Sequence, residues 1–222
     1  MSDQRVEIKK MWRIIGTSNS SVLELRAIWP SGIQPIKPPL TVHFRASDFA
    51  DIEACKSAFE AEALRLNALG YNIYIVMNPI KSTFVGSAVK DEDISYRDLL
   101  LIDIDRVEKA KKPATDEEVE AAKQLADTVM AYLAINEWPE PIRVMSGNGH
   151  HLYYVLPEVA NDDGAKHYVQ SLLKSLAAEF DNDIVKIDTT VFNASRITKV
   201  VGTVARKGLE SEGRPYRMAR VI

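Results

Sequence analysis

DLLLIDID, residues 98–105, is the stretch from which the rest of the chain can be placed. Side chains alternate across a β-strand, so Leu100, Ile102 and Ile104 point to one face while Asp103 and Asp105 share the other. Two carboxylates on one face of an otherwise apolar strand repel each other, and a divalent cation held between them removes that cost. A lone pair of this kind is also tolerated at a wet strand end, where water screens it. What lies beside the pair therefore decides its meaning.

Outward from that strand the pattern is strand, helix, strand, strand, helix, strand, the ferredoxin-like order. A helix over about 116–136 opens with a capping box of Thr115 and Glu118 and turns Val119, Ala122, Ala126, Val129 and Leu133 inward. IRVMS (142–146) passes through Gly147, Asn148 and Gly149 into HHLYYVL (150–156), a strong hairpin signal. A second helix buries Val169, Leu172, Leu173, Leu176 and Phe180, and a last strand starts near Ile184. In such a sheet the first and third strands are antiparallel neighbours, which brings Asp103 and Asp105 to the start of HHLYYVL. Parity then separates the histidines: His150 falls with Leu152, Tyr154 and Leu156, and His151 faces the carboxylates. Asp188, at the end of DNDIVKID, is expected beside the first strand as a third carboxylate.

Before residue 91 the pattern gives strands over 22–29, 40–44 and 71–78 and a helix over 47–69. Phe49, Ile52, Cys55, Phe59, Ala63 and Leu66 form the apolar stripe of that helix, and Gly70 ends it. The expected fold class is α/β (α+β). An N-terminal α/β subdomain, residues 1–90, packs on a ferredoxin-like, RRM-type subdomain, residues 91–222, with the active site in the cleft between them.

The chain has 222 residues, one cysteine and a net charge of −3. One cysteine and four histidines argue against a structural zinc module, and no apolar run suggests a membrane span or signal peptide, so a cytoplasmic protein is expected. The slight negative charge argues against a protein that coats nucleic acid, yet positive charge gathers late in the sequence. After Asp188 come Asn193, Ser195, Arg196, Lys199, Arg206 and Lys207, broken by Gly202 and Gly208, and then Arg214, Arg217 and Arg220. Carboxylates able to hold divalent ions, followed by donors and cations, suit phosphoryl or nucleotidyl transfer, whose charge develops on phosphate oxygens.

Taken together, LLIDID, SGNGHHLYY and VKID with SRITKVVGTVARKG resemble, in order and spacing, the three motifs of the archaeo-eukaryotic primase superfamily. The likeness is to its primase-polymerases of plasmids, phages and mobile elements. The resemblance implies a nucleotidyltransferase that extends DNA on a single-stranded template from nucleoside triphosphates. It further implies two divalent ions, Mg2+ or Mn2+, on Asp103, Asp105 and Asp188, and His151 as the catalytic histidine at the nucleotide's phosphates. Ser146, Asn193, Arg196, Arg206 and Lys207 would complete the nucleotide site, and a helicase domain or protein is the further partner to be expected. Many members carry serine where this chain has Gly149, which moves that role to Ser146 or a backbone amide.

Two other readings compete. A rolling-circle or relaxase-type nuclease uses a similar sheet, but expects metal-binding histidines alternating along one strand, whereas His150 and His151 are consecutive. A non-catalytic RRM-like nucleic-acid module would leave Asp103 and Asp105 unexplained, and parity puts only Tyr153 on the sheet face where stacking aromatics would be needed.

Overall fold

The computed structural model describes residues 2–16, 21–108 and 111–222. Helix α1 (Ser2–Lys9) leads to strands β1 (Val22–Ile28) and β2 (Leu40–Arg45), helix α2 (Ile52–Ala68) and strand β3 (Asn72–Val76). Then follow β4 (Tyr96–Arg106), α3 (Asp116–Ile135), β5 (Ile142–Met145), β6 (His150–Ala160), α4 (Asp163–Phe180) and β7 (Val185–Ile187). Four short strands close the chain: β8 (Ile197–Lys199), β9 (Val204–Ala205), β10 (Arg217–Met218) and β11 (Arg220–Val221).

These elements build a mixed α+β fold from antiparallel sheets. One sheet runs β2-β1-β3-β8 and carries α2; the other runs β11-β5-β6-β4-β7 and carries α3 and α4; β9 and β10 form a separate ribbon. Within the five-stranded sheet, β5-β6-β4-β7 is the ferredoxin-like order expected from the sequence. Leu100, Ile102 and Ile104 of β4 are buried on the side where α3 packs, and Tyr154 stacks edge-on with Trp138 at 5.3 Å. The α3 capping box forms: Glu118 N–H donates to the Thr115 hydroxyl at 3.1 Å, and Thr115 N–H donates to the Glu118 carboxylate at 2.8 Å.

Helix α2 begins later than the apolar pattern suggested. Asp51 caps it by accepting from Ala54 N–H at 2.7 Å, and a 3-10 turn at Ala46–Asp48 takes up the preceding residues. Cys55, Phe59, Ala63 and Leu66 are buried as expected, and burial together with nearby Asp48 raises the pKa of the free Cys55 thiol.

Two features differ from the sequence expectation. The first sheet takes its fourth strand from beyond residue 90, because β8 pairs with β3 in the register Tyr74↔Lys199, Ile75↔Thr198 and Val76↔Ile197. The free edge of β3 borders the core, where unpaired N–H and C=O groups are costly, and β8 satisfies them. A boundary at residue 90 therefore cuts through a sheet. In addition, PYRMARVI, which alternates like one strand, is divided between two sheets. Buried Ala219 donates its N–H to Thr203 O at 3.0 Å and accepts from Gly202 N–H at 2.7 Å, so β10 pairs with β9 while β11 joins β5. Among the described residues no helix is long and apolar enough to cross a membrane.

Candidate active site

The antiparallel pairing of β4 with β6 sets Asp103 directly opposite His151, and His151 Nε2 lies 3.3 Å from Asp103 Oδ1. The other ring nitrogen, Nδ1, is 2.8 Å from the Tyr153 hydroxyl, which in turn is 2.5 Å from Thr198 Oγ1 on β8. One proton arrangement satisfies the whole chain. Nε2–H donates to Asp103, Nδ1 accepts from Tyr153 O–H, and the phenolic oxygen accepts from Thr198 O–H. Tyr153 is completely buried, since β8 covers the sheet face that an RRM module would keep open for stacking. His150, on the opposite face, is also buried, and burial followed by Arg143 lowers its pKa to about 4.

Asp103 and Asp105 share a face but not an environment. Burial works against the charge on Asp103, yet His151, Arg196 and Lys207 hold its carboxyl below the usual range. At Asp105 the nearby cations do not outweigh burial. Burial and then the neighbouring Asp103 charge raise its pKa to about 6, with Lys207 only partly opposing them. The backbone of the hairpin comes very close to this carboxylate: a Cβ on Gly149 would stand 2.1 Å from Ile104 O and 3.1 Å from Asp105 Oδ1. Glycine is required there, and a serine at 149 would not fit this backbone.

These groups line a cavity of about 430 Å³ between the two large sheets. Asp103, Asp105, His151 and Ser146 meet Arg196, Lys199, Arg206 and Lys207 in it. Asn72 on β3 fixes Arg206, accepting from its backbone N–H and donating to its carbonyl, both at 2.8 Å. The guanidinium of Arg206 has an Nη1 with no hydrogen-bond partner among the described residues. Lys199 is only 4% exposed. Burial and then Arg206 lower its pKa to about 7, while its ammonium lies 5.5 Å from the Tyr74 ring centre. The Tyr74 hydroxyl is raised to about 12 by burial and by Asp103 and Asp105. Tyr74, Asn72, Asn148 and Thr198 were not singled out from the sequence. For the first two a signal existed, because Asn72 and Tyr74 alternate with the fully buried Ile73 and Ile75.

Other expected site residues lie elsewhere. Asp188 reaches the sheet as expected, its N–H donating to Asp103 O at 2.8 Å. Its carboxylate, however, accepts from Thr190 N–H at 2.8 Å and Thr190 O–H at 2.7 Å, and stands 3.7 Å from Arg196. Among the described residues no group of three or more His, Cys, Asp or Glu side chains is placed to hold a metal ion. Asn193 is outside the cavity: its amide donates to Ser195 Oγ at 3.2 Å, and both side chains bond Asp91. Asp91, from a distant turn, engages both polar groups. Arg214 and Arg217 are likewise engaged, on Glu118 at 3.0 Å and on Asp116 at 2.6 Å, where they hold the first turn of α3.

Comparison with solved structures gives the fold its relatives. The chain is similar to a crystal structure of the primase RepB′, with a TM-score of 0.54 and 13% identity over 99% of its length. It spans 56% of that longer chain. It is similar to the catalytic domain of RepB′ in complex with initiator DNA, with a TM-score of 0.52 and 13% identity over 97% of this chain and 84% of that one. The polymerase domain from Mycobacterium tuberculosis ligase D in complex with DNA matches with a TM-score of 0.56 and 15% identity, over 93% and 77% of the two chains. At these identities the likeness is one of fold. No protein-family model and no curated protein matches the sequence.

Proposed function

We propose that this chain is a DNA primase-polymerase, joining nucleoside triphosphates along a single-stranded DNA template. One observation carries the reading: a single cavity holds two adjacent carboxylates, one of them with its pKa raised by burial and by the other, facing Arg196, Lys199, Arg206 and Lys207. A triphosphate needs both halves of that arrangement. The fold-level similarity to primase and polymerase domains, two of them solved with DNA, supports extending it to template-directed synthesis.

The donor set fits a hard divalent cation. Asp103 and Asp105 present oxygen ligands on one face, and the raised pKa of Asp105 marks negative charge that Lys207, His151 and Arg106 compensate only in part. Asp188 would join them by exchanging its Thr190 contacts for the ion. Mg2+ or Mn2+ held there supplies acidification of the attacking 3′-hydroxyl and neutralisation of phosphate charge. The chain's own residues do the rest. His151, oriented by Tyr153, would turn its Nε2–H from Asp103 to a phosphate oxygen once that carboxylate holds the ion. Arg196, Arg206 and Lys207 hold the β- and γ-phosphates as pyrophosphate leaves, and Ser146 offers a hydroxyl at the edge of the site.

Incubation with labelled deoxy- or ribonucleoside triphosphates, single-stranded DNA and either Mg2+ or Mn2+, with and without a primer, tests this reading. Incorporation into a template-dependent product is expected, and it should vanish in Asp103→Ala. A folded protein that binds single-stranded DNA and incorporates nothing under any combination would be a binding module instead.

A further inference from the structure

Arg196 enters the cavity from the segment between β7 and β8, and residues from two other stretches of the chain hold that segment in place. Asn78 Nδ2 donates to Ala194 O at 2.8 Å, and Met77 N–H donates to Arg196 O at 3.0 Å. The third hold is Asp91, 104 residues upstream of Ser195. Its Oδ1 accepts from Ser195 N–H at 2.9 Å and from the Ser195 hydroxyl at 2.7 Å. The backbone of Asp91 is anchored in turn, its carbonyl accepting from Asn161 Nδ2 at 2.7 Å. Lys166 on α4 lies 3.9 Å from its other carboxylate oxygen, and Asn193 also bonds the carboxylate. Asp91 thus sits in the turn before β4, tied to the turn between β6 and α4, and reaches across to the residue immediately before Arg196.

We propose that Asp91 is a positioning residue for the nucleotide site, fixing the Ser195 backbone so that Arg196 stands between Asp188 and the cavity. The inference rests on the role given to Arg196 under Proposed function. Burial opposes the Asp91 charge, but the Ser195 bonds and Lys166 outweigh it and keep the pKa below the ordinary carboxylate value, so the latch is charged at neutral pH. Because Asn78 and Met77 hold the segment independently, loss of Asp91 loosens the approach of Arg196 without unfolding the strand that follows.

A double-mutant cycle tests this, with the nucleotide KM, kcat and melting temperature measured for wild type, Asp91→Ala, Arg196→Ala and the double variant. Asp91→Ala should raise the nucleotide KM about tenfold with a smaller change in kcat, as expected when a binding group is misplaced rather than removed. The double variant should be no worse than Arg196→Ala alone. Asp91→Asn keeps an oxygen that can accept both bonds and should return KM to within about threefold of wild type. The Ser195 amide should exchange with solvent faster in Asp91→Ala than in Asp91→Asn. Additive effects, or Asp91→Asn as damaging as Asp91→Ala, would overturn the positioning role while leaving the nucleotide site intact. An Arg196→Ala protein with an unchanged KM would overturn the role of Arg196 and this inference with it.

Discussion

His151 faces Asp103 across the β4–β6 ladder, and its ring is fixed from behind by the buried hydroxyl of Tyr153. The imidazole is therefore held in one orientation, with Nε2 presented to the carboxylate and the cavity. His150, one residue earlier, makes none of these contacts and packs on the helix side of the sheet.

That division predicts opposite behaviour for two adjacent residues. His151→Gln keeps a polar group beside Tyr153 and should fold normally while losing most nucleotide incorporation. His150→Ala should cost about 1–3 kcal/mol of stability, read by denaturant titration, while the folded fraction keeps its nucleotide KM. The reverse pattern would show that β6 presents its other face to the cavity.

Asp105 carries the repulsion of the pair. Its pKa is raised in the fold, so the metal-free protein should lose stability as pH rises from the ordinary carboxylate value of 3.8 through about 6, and remain at that level above it. Asp105→Asn should raise the melting temperature in chelator, by about 2–4 °C for each kcal/mol of repulsion relieved. The same variant should lose incorporation on the order of 10²-fold or more and should no longer be stabilised by added Mn2+. Unaltered incorporation would remove Asp105 from the metal site.

Lys199 predicts a second pH dependence, of different origin. Its pKa falls from 10.5 to about 7 on folding, so between those values the unfolded chain binds the extra proton. Stability should rise with pH across that interval, the penalty being complete below 7. Lys199→Met should flatten the rise and stabilise the protein at neutral pH by on the order of 1–4 kcal/mol, at the expense of triphosphate affinity. Binding a triphosphate should restore the ammonium and take up protons, measurable by calorimetry in buffers of different ionisation enthalpy. No proton uptake would mean that the phosphates do not approach Lys199.

The basic residues of the last third should fall into two groups. Arg206→Ala with Lys207→Ala should raise the nucleotide constant and flatten the salt dependence of single-stranded DNA binding, which has a slope of about −0.7 per neutralised phosphate. Arg214→Ala with Arg217→Ala instead releases Glu118 and Asp116 at the start of α3. It should cost about 1–3 kcal/mol of stability and leave the salt slope unchanged. A flattened slope in that second pair would place these arginines on the DNA.

The difference between those groups shows where sequence reading succeeds. The meeting of Asp103 with His151 follows from alternation along two strands and one topological rule, both of which can be read from a short stretch. The same holds for the ferredoxin-like order and for the opposite faces of the two histidines. Arg214 has no such local signature, since its partner Glu118 lies 96 residues away, and neither does Asn193, whose partner Asp91 belongs to a different turn. Tyr74 could have been found by parity. Lys199 is, in the sequence, only one of the cations that follow Asp188, and the structure makes it a strand residue because β8 pairs with the edge of β3.

That same strand has a mechanical consequence. The chain leaves the four-stranded sheet after β3, builds most of the five-stranded one, and then returns through β8 to the first, where Thr198 is tied to Tyr153 across the gap. The two walls of the cavity are tied together at its floor, so they cannot swing apart like a clamshell without breaking the bond between Tyr153 and Thr198. The slot has a fixed gauge. Fitting its contents falls to the rim, the loops around Trp29 and Ser31 on one side and Arg206 and Lys207 on the other, which meet where Gly208 N–H donates to Ser31 O at 2.8 Å.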